Sequence, residues 1–205
     1  MLKSILEELI SFQLIEKRLA DLGYTYTFHS KSIKTEIYMK IDSKRKKELH
    51  QQYAVILESI YSKEERIDID ELIYHYIKAD SNEKALELII KAAKKMLKLH
   101  ISTQTMAYLK KGIELSKKIS SVEYTIEILL MMGELYRKNG ENQKAFDCHN
   151  EALEYAINID DKITIAKVKE MIGALYTRKN DFNKSLTLLN ESLSLSKEIG
   201  YVEGC

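Results

Sequence analysis

Residues 129–158 read LLMMGELYRKNGENQKAFDCHNEALEYAIN, and related versions of this stretch lie 40 residues before it and 40 residues after it. Small residues recur in one column of this repeat, and large apolar residues recur in another. The small column holds Ala93, Gly133 and Gly173, and the large column holds Met96, Tyr136 and Tyr176. Self-similarity at a fixed period is typical of a solenoid, in which each unit buries its apolar face against its neighbours. The sequence therefore predicts an all-α array of helical hairpins.

The period of the apolar residues changes near the start of the chain. Apolar residues at helical spacing predict a helix at 2–11. The residues at 14–19 and 24–28 suit strands instead, because aromatic residues alternate with threonines in the second stretch. Gly23, which can adopt a positive φ angle, lies in the connection between them. We therefore expect a β-hairpin after a short helix, and a helix that continues through 17–22 is the alternative.

Helical periodicity returns after the hairpin and continues almost to the end of the chain. A helix is expected at about 32–40, and Asp42 or Ser43 can cap the next one because their side-chain oxygens accept a backbone N–H. Residues 63–66 are expected to form a polar loop. The further helices are expected at about 43–62, 68–78, 82–99, 102–118, 121–138, 141–158, 161–178 and 181–199.

The composition excludes several functional classes. The 205 residues include no proline, 45% hydrophobic residues and 31% charged residues, which suits long amphipathic helices. A net charge of +1 provides no global field to attract nucleic acid or an anionic membrane. Cys148 and Cys205 are too few and too far apart for a disulfide framework or a zinc site. With no apolar run of membrane-spanning length and no signal-peptide pattern, we expect a cytoplasmic protein without a cofactor.

The central repeat, 129–158, resembles a tetratricopeptide (TPR) repeat. Gly133, Ala145 and Ala152 occupy the small positions that permit close helix contact, and Tyr136 fills the groove between the helices. The period of 40 residues differs from the usual value of about 34. Further copies lie at 90–119 and 172–193. The resemblance implies a right-handed superhelix of helical hairpins, which binds a protein or peptide partner in its concave groove.

The first part of the chain has a second resemblance. The stretches YTYTFHSKSIKTEIYMKIDSKRKKELHQQYAVILE (24–58) and ELIYHYIKADSNEKALELIIKAAKKM (71–96) are similar to the region of bacterial STAND-type signalling ATPases where a winged-helix domain passes into TPR-like helices. The resemblance implies a partial winged-helix-like region at 1–62, with one β-hairpin, and TPR-like helical repeats at 63–205. The repeats are expected at about 81–120, 121–160 and 161–200.

The phosphate-binding loop of those ATPases, Gly-x-x-x-x-Gly-Lys-Ser/Thr, is missing from the sequence. The winged-helix pattern starts at its last helix and wing, and the C-terminal residues resemble the link into another repeat. We therefore expect a fragment of a longer signalling protein. In this interpretation the chain is a regulatory arm, and its partners include the nucleotide-binding core of the parent protein. The exposed ends of the repeat array are expected to favour self-association.

A column of cations suggests where a partner would bind. Equivalent positions, 40 residues apart near the ends of the predicted first helices, carry cations that can bind carboxylates or phosphates of an extended partner. The column consists of Lys98, Lys138 and Arg178, and Lys94, Glu134 and Arg137 are further candidates for the same concave groove. The alternative is that these cations only complement the dipoles of their helices.

Two other positions are candidates for nucleotide or nucleic-acid contacts. The resemblance to the signalling ATPases makes His29 a candidate nucleotide sensor, since a winged-helix histidine contacts the nucleotide phosphate in some of them. A polar residue at the end of a strand is the simpler interpretation of His29. The basic run at 44–47 would attract phosphates, but it lacks interleaved aromatic residues and suits a solvated helix face. Binding to DNA is therefore not expected.

The sequence offers no arrangement of residues for catalysis. It contains no assignable carboxylate pair, phosphate cradle or triad, and its five histidines show no metal-ligand spacing. The leading hypothesis is a non-enzymatic scaffold, the regulatory arm of a larger bacterial signalling ATPase. A stand-alone TPR adaptor or peptide-binding regulator is the alternative, and a DNA-binding transcriptional regulator is a weaker one. A hairpin at 14–28 favours the regulatory arm, whereas a continuous helix there favours the adaptor.

Overall fold

The structure, a computed structural model, describes residues 2–20, 23–61 and 69–200. These residues form ten α-helices and one two-stranded antiparallel sheet. In chain order the elements are α1 (Leu2–Ser11), β1 (Ile15–Ala20), β2 (Gly23–Phe28), α2 (Lys31–Lys40), α3 (Ser43–Tyr61), α4 (Ile69–Lys78), α5 (Asn82–Lys98), α6 (Ser102–Lys118), α7 (Val122–Lys138), α8 (Asn142–Asn158), α9 (Lys162–Arg178) and α10 (Phe182–Glu198). The predicted all-α architecture with one N-terminal hairpin is confirmed. The polar loop predicted at 63–66 lies outside the described residues.

Helices α5 to α10 all have 17 residues because the turns that end them repeat. Every twentieth residue from 80 to 200 has a positive φ angle, between 53° and 79°. After each of these residues up to Asn180, the next residue donates its backbone N–H to a carbonyl of the preceding helix, as when Glu141 donates to the carbonyl of Tyr136 at 2.9 Å. This bond is the mark of a left-handed C-terminal cap. Two 17-residue helices and two such turns account for the 40-residue period. The positive-φ residues are Asp80, His100, Ser120, Gly140, Asp160, Asn180 and Gly200.

Consecutive helices pack as antiparallel neighbours from α3 to α10, and α5 also contacts α7. Glycines bring the helices close together. An added Cβ at Gly133 of α7 would lie 2.4 Å from Cε1 of His149 on α8, and His149 is only 1% exposed. At Gly112 a Cβ would lie 2.9 Å from Cδ1 of Ile128. The column of small residues seen in the sequence therefore marks real points of close contact between helices.

The third repeat replaces two of the small apolar residues by serines, and the fold satisfies both. Ser185 and Ser192 are buried. The hydroxyl of Ser192 donates to the carbonyl oxygen of Ala166 at 2.8 Å, and the hydroxyl of Ser185 shares a hydrogen bond of 2.7 Å with that of Thr177. Because buried hydroxyls with partners avoid the cost of desolvation, the serines fit the core as small residues.

The described residues 2–20 and 23–40, here called the N-terminal arm, form a two-stranded sheet with one helix on each strand. Strands β1 and β2 pair so that Ile15 lies opposite Phe28 and Leu19 opposite Tyr24. Helix α1 packs on β1, and α2 packs on β2. The alternative of a helix through 17–22 is wrong, because β1 extends to Ala20. The aromatic face of β2 is largely open, with Tyr24 60% exposed.

The close contact between α7 and α8 can be tested by mutation. Gly133→Ala is expected to reduce the free energy of unfolding by about 1–3 kcal/mol, because the added methyl group overlaps the buried ring of His149. In a His149→Ala background the same change is expected to cost nothing, since alanine is the better helix former. Urea denaturation of the four proteins measures both values. An equal loss in the two backgrounds would contradict this packing.

Candidate functional site

A groove of about 530 Å³ runs between α5 and α7. Its walls come from the first helices of two successive hairpins, which contact each other directly. The residues that line it are Glu87, Ile90, Lys91, Lys94, Lys95, Lys98, Tyr124 and Glu127. The groove thus combines one apolar side chain and one aromatic ring with six charged groups.

Four lysines on one face of α5 give the groove its positive character. Pairs four residues apart, Lys91 with Lys95 and Lys94 with Lys98, place the lysines on one broad stripe of the helix. Only two glutamates of the lining oppose them, and both have partners: Nζ of Lys94 lies 2.6 Å from the carboxylate of Glu127 on α7, and Nζ of Lys84 lies 3.6 Å from that of Glu87. Burial, together with the nearby Glu87, raises the pKa of Tyr124. Its hydroxyl is therefore protonated at neutral pH and can donate a hydrogen bond.

The structure gathers some of the cations predicted from the sequence and separates others. Lys94 and Lys98 line the groove between α5 and α7. Lys138 lines a different, smaller cavity of about 120 Å³, which also contains Thr105 from α6. Arg178 is exposed on α9 and lines neither of these two cavities.

Glu134 and Arg137 interact mainly with each other. The guanidinium of Arg137 donates to both carboxylate oxygens of Glu134, at 2.6 Å and 2.7 Å, and Nζ of Lys138 lies 3.6 Å from the same carboxylate. The hydrogen bonds from Arg137 lower the pKa of Glu134. Both charges of this pair are thus largely satisfied within α7.

The two other sequence candidates lie on or beside the N-terminal arm. His29 is exposed just after β2, and its backbone N–H donates to the carbonyl of Leu14 at 3.0 Å. The basic run at 44–47 makes contacts within the chain: Lys47 lies 2.8 Å from the carboxylate of Asp80. Arg45 lies 3.1 Å from a carboxylate oxygen of Glu48 in the next turn of α3.

One cluster has no counterpart in the sequence analysis. His50 of α3 and His75 of α4 face each other, with their Nδ1 atoms 2.8 Å apart. Because these residues are 25 positions apart and belong to different helices, no local spacing reveals the pair. A contact between α3 and α4 could have been expected from the predicted order of helices, but not its register.

Part of the chain matches the TPR family, and known proteins show similarity to it. Residues 124–198 match the family described as "Tetratricopeptide repeat". Among curated proteins, the 43 kDa receptor-associated protein of the synapse from Gallus gallus is 28% identical over 97 residues, which are 47% of this chain and 24% of that protein. The family match and this relative support a protein–protein interaction scaffold.

Solved structures share the fold. A Rap protein complexed with Competence and Sporulation Factor has a TM-score of 0.53 at 14% identity, with 82% of this chain and 47% of that chain covered. A Signal Transduction ATPase with Numerous Domains (STAND) protein with a tetratricopeptide repeat sensor, from Pyrococcus horikoshii, has a TM-score of 0.52 at 16% identity, with 95% and 40% covered. These likenesses establish a TPR-like fold. The chain spans less than half the length of each protein that it resembles here.

Metal sites and membrane-spanning helices are two other features of interest. Within the described ranges, no group of three or more histidine, cysteine, aspartate or glutamate side chains is placed to hold a metal ion. None of the described helices is long and apolar enough to cross a membrane.

Proposed function

We propose that the chain is a non-catalytic scaffold that holds an acidic segment of a partner protein or peptide in the groove between α5 and α7. The observation that carries this proposal is the row of four lysines along one face of α5. The TPR match and the fold shared with a Rap protein complexed with Competence and Sporulation Factor support a binding function for the groove.

The spacing of the lysines suits an extended partner. Lys91 and Lys95, like Lys94 and Lys98, are four residues apart, or about 6 Å along the axis at 1.5 Å per residue. Alternate side chains of an extended peptide lie about 6.6–6.8 Å apart. A segment with acidic residues at alternate positions can therefore pair two carboxylates with this row. Ile90 and Tyr124 of the groove provide contacts for an apolar side chain between them.

The charges of the groove determine how strong the binding is expected to be and how it depends on salt. Each exposed ion pair contributes about 0.2–1 kcal/mol and weakens as salt is added, and at 0.1 M ionic strength charges more than about 10 Å apart are largely screened. Binding is therefore expected to be modest and strongly dependent on salt. Specificity would come from the apolar contact and from the rejection of basic segments, because like charges repel.

We extend the proposal to the place of this chain in a larger protein, where it acts as the regulatory arm of a bacterial cytoplasmic signalling ATPase. The order of elements supports this, since a partial winged-helix-like region at 1–62 would lead into the repeats at 63–205. The likeness to the STAND protein covers 95% of the chain. The arm would contact the nucleotide-binding core in one state and its ligand in another, which would bias a two-state equilibrium. His29 is the proposed contact of the arm with the nucleotide side of the core.

A stand-alone peptide-binding regulator is the second candidate, and the likeness to the Rap protein complex favours it. The groove proposal is common to both candidates. The two candidates differ in whether the chain docks on a nucleotide-binding core.

Charge reversal in the groove tests the first proposal. The double change Lys91→Glu and Lys98→Glu is expected to weaken binding of a synthetic hexapeptide that alternates glutamate and leucine by about tenfold, because two attractive pairs become repulsive. Glu127→Gln is expected to tighten binding, since it releases Lys94. Fluorescence anisotropy at 50 mM and 300 mM salt measures these changes.

Matched controls distinguish the groove from the general charge of the chain. Lys110→Glu on α6 and Lys197→Glu on α10 alter exposed lysines outside the groove and are expected to leave the affinity almost unchanged. If these control variants weaken binding as much as the groove variants, the proposal fails. It also fails if a peptide with lysine in place of each glutamate binds equally well.

Calorimetry tests the regulatory arm separately. The chain is titrated against the nucleotide-binding core of the proposed parent protein, in the presence of ADP and then of a non-hydrolysable ATP analogue. Different affinities in the two states are expected, and His29→Ala is expected to reduce the difference. Absence of binding in both states would contradict the arm and leave the stand-alone regulator.

A further inference from the structure

The junction of α2, α3 and α4 contains a cluster of imidazole and phenol rings. The Nδ1 atoms of His50 and His75 lie 2.8 Å apart, and the hydroxyl of Tyr38 lies 2.9 Å from Nε2 of His50. The ring of Tyr53 stacks beside His75 with centroids 4.4 Å apart, and the ring of Tyr74 lies across it at 5.3 Å. His50 is buried and His75 is half-buried. Three helices thus hold the two imidazoles in one orientation.

The short distance between the two Nδ1 atoms leaves room for only one hydrogen between them. Only one of these nitrogens can carry the hydrogen, so at least one ring presents a lone pair. Burial lowers the pKa of His50, as does the charge of Lys78, so the ring is mostly neutral at pH 7. Burial and the neighbouring His50 lower the pKa of His75, while Glu71 raises it. Two neutral imidazoles that face each other through nitrogen are the donors that zinc, copper and nickel ions prefer.

We propose that His50 and His75 bind a divalent transition-metal ion between their Nδ1 atoms, at a site that links the N-terminal arm to the helical array. The inference does not depend on the groove between α5 and α7. Zinc, which prefers tetrahedral coordination by nitrogen ligands, is the probe ion.

The geometry of the pair is close to that of a metal site. Tetrahedral zinc with bonds of about 2.0–2.1 Å needs its ligand nitrogens about 3.4 Å apart. The present 2.8 Å therefore opens by about 0.6 Å, which small rotations of the two rings can provide. Water completes the coordination, as at sites that retain open positions.

Tyr38 supplies the outer support that metal-bound histidines use. A metal on Nδ1 of His50 leaves the hydrogen on Nε2, which then donates to the hydroxyl oxygen of Tyr38. This bond fixes the tautomer and the orientation of the ring. Since Tyr38 belongs to α2, the metal would also hold the N-terminal arm against α3.

Nearby charges have opposite effects on a bound cation. Glu71 lies one helical turn before His75 and accepts a hydrogen bond from Tyr53 at 3.1 Å, so its carboxylate favours the metal. Lys78, near the ring of Tyr74, and Lys46, near the ring of Tyr38, oppose it. A two-histidine site with this balance is expected to bind more weakly than a structural zinc site with four ligands.

Calorimetry with zinc chloride tests the proposal on the full chain at pH 7.5, without a polyhistidine tag and in a Cys205→Ser background that removes a competing thiol. We expect one equivalent of zinc and a rise in Tm. Binding is expected to weaken as the pH falls below the pKa values of the two rings, which burial holds under the ordinary histidine value, because protons then compete for both nitrogens. His50→Gln and His75→Gln are each expected to reduce the affinity at least tenfold. Tyr38→Phe is expected to reduce it about tenfold, the lower end for an outer partner.

His29→Gln is the matched control, because it removes an exposed histidine of the arm, and it is expected to leave zinc binding unchanged. Histidine ¹⁵N NMR of the unmutated chain gives a second readout that does not depend on the folding of any variant. Zinc is expected to shift two Nδ1 signals while the corresponding Nε2 nitrogens keep their protons. Absence of zinc binding, or binding that both His50→Gln and His75→Gln leave intact, would overturn the proposal.

Discussion

The left-handed turn that recurs every twenty residues is the constraint on which the helical array depends. From 80 to 180 the chain reverses at every twentieth residue, which has a positive φ, and the N–H of the following residue donates to a carbonyl of the preceding helix. Non-glycine residues in this conformation cost about 1–2 kcal/mol each, so the closing hydrogen bonds and the helix packing must offset that cost. The turns give α5 to α10 the same length and therefore bring equivalent positions into contact in each hairpin.

The groove between α5 and α7 is a consequence of this regularity. Because α5 and α7 are first helices of successive hairpins, they lie side by side and in register. The four lysines of α5 occupy the face that the turns direct toward α7, and Lys94 reaches Glu127 across the gap. Close contacts such as that of Gly133 with His149 hold α7 on α8, which keeps the wall of the groove in place. The proposed binding function thus rests on packing that lies behind the charged surface.

Much of the fold could be predicted from the sequence, because helical periodicity and the 40-residue repeat are local signals. The hairpin also follows from local alternation of aromatic residues with threonines. The recurring turn residue was not foreseen, since aspartate, histidine, serine, asparagine and glycine share that position without a common chemical type. The pairing of His50 with His75 depends on the register between two helices, which no local pattern specifies.

The candidate site was predicted only in part, for a reason of geometry. Lys98, Lys138 and Arg178 occupy equivalent positions in the repeat, but neighbouring helix axes are about 8–10 Å apart, so equivalence along the chain does not place side chains in one cavity. Lys94 and Lys98 line the groove, whereas Lys138 lines another cavity. Lys91 and Lys95 of the same helix face were missed, because the sequence analysis followed the 40-residue period rather than the spacing within one helix.

The central claim is that the lysine row of α5 receives an acidic partner, and NMR of ¹³C-methylated lysines tests it most directly. Each dimethyl-lysine signal is assigned by single substitution and followed as the glutamate–leucine peptide is added. We expect four signals to shift together and saturate, those of Lys91, Lys94, Lys95 and Lys98. The signals of Lys110 and Lys197 are expected to stay in place. Shifts spread evenly over all lysines, or confined to residues outside α5, would contradict it.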